Sequence, residues 1–268
     1  MQNNINTDPH YDLFCNSHHD DDGNNIDTNR HYRMLNLVNP FFCISKGKDS
    51  RWLTVGDGLA REAIFLKKKG IKHVTCSNYS FSLEKQKKIK SRVDDCMEID
   101  AEDMPNVSQD FILCKEAFHH FSRPFKALYE MLDRCKSGVV LIEPQETPPA
   151  KDDYELRDDW AKDSYEKQGD YQYRINVREF CKAAWALGLP HVLFKGFNDP
   201  IGDLYKDKNY KAYLKRCNNL DELGAKNERP YDLAVCAILK KTLTLENRKE
   251  FKDFKIIDRP LPDDKSRS

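Results

Sequence analysis

From residue 51 onward, short apolar runs alternate with stretches in which apolar residues recur every three or four positions, a pattern that predicts a parallel sheet with helices on both faces. The run "RWLTV" (51–55) predicts the first strand. It is followed by a helix over about 59–69, where Leu59, Ala63 and Leu66 share a face and Gly70 is the stop. Further strands are expected at 73–77, 96–99, 110–114 and 138–144, with "SLEKQKKIKSRV" as a polar surface helix between the second and third. Ser122 and Pro124 open another helix, whose Phe125, Leu128, Met131, Leu132 and Cys135 fall on one stripe. After an interruption the rhythm resumes with a helix in "NVREFCKAAWALGL" and strands at 191–197 and 231–241.

The same pattern divides the chain. Residues 1–50 are expected to form an amino-terminal arm or lid, partly disordered, since the first 30 are rich in Asn, Asp and His with almost no apolar periodicity. Residues 51–144 form the first half of the main domain. The segment 145–180, dense in Pro, Asp, Tyr and Trp, is an insertion suited to cap a site; 181–241 complete the sheet, and 242–268 are a charged tail without assigned structure. His18, His19 and Asp20 to Asp22 are metal-ligating residue types, but no helix or strand fixes their directions, so a solvated polar run is the favoured reading.

Composition narrows the function classes. Among 268 residues, 44 basic side chains balance 44 acidic ones, which leaves no global field for nucleic acid or anionic membrane and requires local charges for any anionic substrate. No apolar run reaches the roughly 18 residues of a membrane span and no leader pattern opens the chain, so a cytoplasmic protein is expected. The nine cysteines are odd in number, scattered and free of CxxC pairs. They read as small buried residues, with no disulfide, zinc or nucleophilic role.

The candidate chemistry starts at "LTVGDGLARE", a strand running into two glycines and a helix. A dinucleotide fingerprint would need a third glycine where Arg61 stands, and no Gly-Lys-Ser/Thr follows for a phosphate loop, so a nicotinamide-dependent sugar enzyme is disfavoured. Taken with "SNYS" (77–80), "IDAEDMP" (99–105) and "DFILCKEAFHHFSRP" (110–124), the turn resembles the first motif of class I S-adenosylmethionine-dependent methyltransferases. That resemblance implies a Rossmann-like α/β fold with a mostly parallel seven-stranded sheet, and S-adenosylmethionine as cofactor. It also implies Val55, Gly56, Asp57 and Gly58 beside the cofactor's amino-acid end, Asn78 and Tyr79 at the ribose, and Asp100, Ala101 and Glu102 at the adenine, with Lys115 nearby. The motif wording is most similar to a bacterial subgroup encoded with capsule and other surface-polysaccharide genes.

Methyl transfer to a hydroxyl needs the acceptor held about 3 Å from the methyl and a base for its proton. Glu116, His119 and His120, on the loop after the fourth strand, are the catalytic candidates, and which of them is the base stays open. Their E-x-x-H-H spacing resembles the E-x-x-E-H of some metal-dependent O-methyltransferases. Two imidazoles suit Mg²⁺ poorly, so a divalent metal is not expected. Arg123, Glu143, Arg174 and Arg178 are candidates for binding the substrate, and Tyr154, Trp160, Tyr165, Tyr171 and Tyr173 make the insertion aromatic. The expected partner is a small polar molecule, a sugar, nucleotide-linked precursor or phosphoramidate, and not nucleic acid or membrane; a homodimer stays open. The alternative is a cofactor-binding, non-catalytic partner subunit.

Overall fold

A computed structural model describes residues 26–44, 46–146, 173–200 and 210–260. Eight strands lie in one sheet in the order β3-β2-β1-β4-β5-β7-β6-β8. They are β1 Arg51–Val55, β2 His73–Asn78, β3 Asp95–Glu98, β4 Gln109–Lys115, β5 Cys135–Pro144, β6 His191–Phe197, β7 Leu233–Leu239 and β8 Lys255–Asp258. The first five run parallel, while β7 is antiparallel to both β5 and β6 and β8 is antiparallel to β6.

The described helices are α1 Ile26–Leu35, α2 Arg61–Lys68, α3 Leu83–Lys90, α4 Pro124–Arg134, α5 Val177–Ala186, α6 Tyr210–Ala225 and α7 Leu245–Glu250. Alternation along β1 divides the core into two layers. Trp52 faces a layer with Phe111, Leu66 of α2, Ile89 of α3 and the amino-terminal Met34 and Phe41. Leu53 and Val55 face the other, with Leu128 and Met131 of α4 and Phe180 of α5.

Two expectations are corrected. Residues 26–44 are part of the core: Met34, Leu35, Val38 and Phe41 are fully buried, and the Phe41 ring meets Phe111, Phe251 and Phe254 edge-on. The sheet has eight strands rather than seven, because residues 242–260 fold as well. Phe251 and Phe254 bury against Phe41 and deliver "KIID" to the edge of β6. α6 was also not foreseen, since it buries little beyond Tyr213, Cys217 and Gly224. Residues 1–25, with the His18–Asp22 run, and 147–172, with Tyr154, Trp160, Tyr165 and Tyr171, lie outside the described residues. The eight described cysteines are free thiols, all buried except Cys43.

Register sets the site. Val55 pairs with Cys114, Lys115 with Ile142, and both Pro144 and Phe197 with Leu233, so the carboxyl ends of β1, β4, β5 and β6 share one edge. The strand order reverses between β1 and β4, where an open α/β sheet leaves a crevice for ligands.

Candidate active site

The turn after β1 is shaped for close approach. Gly56 has φ +72°, and a Cβ there would lie 2.4 Å from the Cβ of Ala117, so the loop after β4 sits directly on the glycine turn. Ala60 takes φ +55° and leads into α2, occupying the left-handed position without a glycine. A Cβ on Gly58 would come 3.3 Å from Asn78 Nδ2, which donates to the Ser80 carbonyl at 2.9 Å. Tyr79 is 75% exposed, Asp100 accepts the Glu102 N–H, and Ala101 is buried. The narrow turn and the polar Asn78 beside it fit a nucleoside whose amino-acid end approaches backbone.

Several expected roles change with side-chain geometry. Both oxygens of Glu102 are held by Arg123, one from its backbone N–H at 2.8 Å and one from Nε at 2.6 Å. The expected adenine contact and the expected anion clamp therefore pair with each other, closing the start of α4. Asp57 is buried at the turn, where its Oδ2 accepts from Thr54 Oγ1 (3.0 Å) and the Ala63 N–H (2.9 Å). Burial and the adjacent Glu62 push its carboxyl well above the ordinary carboxylate range. Burial alone would raise Glu62 as well, but the Lys115 ammonium 3.3 Å away and the bond from Asp57 hold it down at about 2.

Lys115 is itself buried, with Nζ 2.6 Å from Glu116 Oε2, so its charge is neutralised by protein rather than presented to a cofactor. Glu116 has φ +49°, a conformation that costs a non-glycine residue about 1–3 kcal/mol and persists only where its surroundings hold it. Its N–H donates to Ile142 O, Lys115 holds one carboxylate oxygen, and Arg30 Nη2 of α1 holds the other at 3.0 Å. Burial favours protonation, yet Lys115 and Arg30 outweigh it and keep the carboxyl well below the ordinary range. A carboxylate so stabilised is a poor general base. Arg30 Nε continues to Asp199 Oδ2 at 2.5 Å, and Asp199 accepts from the hydroxyl of Tyr213 on α6.

The other end of the loop is built differently. Glu143, expected to meet substrate, is fully buried at the end of β5. One oxygen accepts the N–H groups of Ala117 (3.0 Å) and Phe118 (2.9 Å), and the other lies 2.6 Å from His119 Nδ1. Its role is to orient His119, whose ring centroid is 4.0 Å from that of the exposed His120. Glu116 and His119 thus face different partners, which argues against their joint use as metal ligands; no group of three or more metal-ligating side chains occurs among the described residues.

Tyr173 N–H donates to His119 O, which brings Tyr173 and Arg174 alongside this loop, whereas Arg178 is exposed on the first turn of α5. Arg30, Glu62, Asp199 and Tyr213 were missed by sequence reasoning. Only Glu62, next to the glycine turn, carried a local signal.

Comparison with known proteins agrees with this geometry. Residues 53–142 match the family described as a methyltransferase domain. Among solved structures, a Haloferax volcanii methyltransferase in complex with the Trm112 methyltransferase activator shares 15% identity over 81% of this chain and 92% of its own, with a TM-score of 0.54. Haemonchus contortus phosphoethanolamine N-methyltransferase 2 with S-adenosylmethionine gives 13%, 79%, 53% and 0.53 for the same quantities. Magnesium protoporphyrin IX methyltransferase from Synechocystis with bound S-adenosylhomocysteine gives 11%, 79%, 84% and 0.50. No curated protein sequence matches the chain. The match to a methyltransferase domain covers residues 53–142, and the sheet has the class I methyltransferase fold of these solved structures. No described helix is long and apolar enough to cross a membrane.

Proposed function

We propose that the chain methylates a hydroxyl of a small polar acceptor, with His119 as general base. The observation that carries this reading is the 2.6 Å bond between His119 Nδ1 and a Glu143 carboxylate whose other oxygen is tied to two backbone N–H groups. A buried carboxylate on Nδ1 fixes the tautomer and ring direction and stabilises the imidazolium that forms when the ring takes a proton. When bound, S-adenosylmethionine supplies an electrophilic methyl on a sulfonium. The turn Val55–Gly58 would hold its amino-acid end, with Asn78 and Tyr79 at the ribose and Asp100 with Ala101 at the base.

What the protein's residues add is proximity and proton removal, since an in-line displacement asks little else of them. The motif resemblance to the bacterial surface-polysaccharide subgroup supports a sugar, nucleotide-linked precursor or phosphoramidate as acceptor, handled as a cytoplasmic capsule intermediate. Calorimetric titration with S-adenosylhomocysteine is the first test; no binding at about 1 mM, the affinity of a single weak contact, ends the reading. Transfer of labelled methyl to a panel of sugars and nucleotide sugars is the second. Cofactor binding without turnover on any acceptor favours the partner-subunit alternative.

A further inference from the structure

The carboxylates around the glycine turn are not equivalent. Asp57 and Glu62 are both buried, one bonded to Thr54 and the Ala63 N–H, the other facing Lys115. Glu116 is the member of this group that reaches the surface: its side chain is 23% exposed, against 7% for Arg30 and 3% for Lys115. It also stands one residue before Ala117, whose Cβ closes on Gly56, so Glu116 adjoins the seam between the glycine turn and the loop after β4. Its backbone is left-handed, and the adjacent Lys115 and Arg30 cations keep its carboxyl well below the ordinary range.

From this we infer that Glu116 binds the ammonium of the cofactor's amino-acid end, and that Arg30 is a positioning residue acting through Glu116. The inference rests on the methyltransferase reading above. An ionised acceptor at the glycine turn is complementary to an ammonium. Arg30 itself is too buried to touch a ligand. Its guanidinium spans Glu116 and Asp199, and so makes α1, which precedes the matched domain, part of the cofactor site.

The test compares two ligands that share the nucleoside: S-adenosylhomocysteine, which retains the ammonium, and methylthioadenosine, which lacks the amino-acid end. Glu116→Gln should weaken S-adenosylhomocysteine about 10- to 100-fold, the worth of one charge-assisted hydrogen bond. Methylthioadenosine should be unaffected. Arg30→Met should show the same selective loss, Arg30→Lys should recover part of it, and the double variant should be no weaker than the worse single one. Glu116→Asp, charged but one methylene shorter, serves if the glutamine variant does not fold, and should again lose only the amino-acid ligand. Equal losses for both ligands mean a merely structural role, and undiminished binding of S-adenosylhomocysteine removes the assignment; either result overturns the inference while leaving the methyltransferase reading intact. Wild-type protein that binds neither ligand overturns both.

Discussion

The two ends of the loop after β4 are secured by different physics. At residues 117–119 the hold is one carboxylate and a set of short bonds inside 27 residues of chain, from Ala117 to Glu143, and its result is the direction of a ring. At residues 115–116 the hold is a row of alternating charges assembled from α1, α2, β4, the end of β6 and α6. The first arrangement orients and the second distributes charge. A local hydrogen-bonded staple tolerates change elsewhere in the chain, whereas a buried charge row depends on every member, because removing one leaves its partner uncompensated.

Four measurements would sharpen or break that contrast. The largest effect is expected for His119→Ala, which should lower turnover about a hundred- to ten-thousand-fold while leaving cofactor affinity in place. Unchanged turnover, measured with labelled methyl, would reduce the Glu143 bond to a structural staple. Arg30→Met comes next: it removes the cation from the buried Asp199, leaves Glu116 to Lys115 alone, and should cost about 3–5 kcal/mol in denaturant unfolding. A cost close to zero would mean that the charge row is not cooperative.

Asp57→Asn should have a smaller effect, and one that depends on pH. The folded chain keeps the Asp57 proton past the ordinary carboxylate value of 3.8, so the stability this group contributes is fully present below that value and falls as pH rises through its folded pKa. Glu62 and Glu116 act in the opposite sense, contributing stability above 4.5 that is lost as acid protonates them. The asparagine keeps the acceptor for Thr54 and Ala63 without a proton to lose. Its unfolding free energy should therefore lack the decline with rising pH that the wild type shows, as urea titrations across that range would report. The smallest effect belongs to Arg123→Ala. Its side chain is 67% exposed, and its pairing with Glu102 should be worth at most about 1 kcal/mol and shrink with salt.

Legibility followed the range of the interactions. Strands β1 to β7 and helices α2, α4 and α5 were readable because each carries its own apolar period. The glycine turn was readable because the tight turn is written in adjacent residues. His119 and Glu143 were both picked out, but their partnership was not. Glu143 reads as a strand-end carboxylate available to the substrate, and only the β4–β5 register, which sets Lys115 against Ile142, turns it under the loop. Arg123 and Glu102 were assigned to different ligands for the same reason: 21 residues apart in sequence, they meet only when α4 docks on the loop after β3.

What the sequence determined by itself is the fold class and the identity of the turn, since hydrophobic periodicity and adjacent glycines are local quantities that survive without knowledge of the partners. What only the tertiary structure decided is which charges meet. Arg30 lies 86 residues from Glu116 and 169 from Asp199, and a buried charge has no meaning until the group that neutralises it is in place.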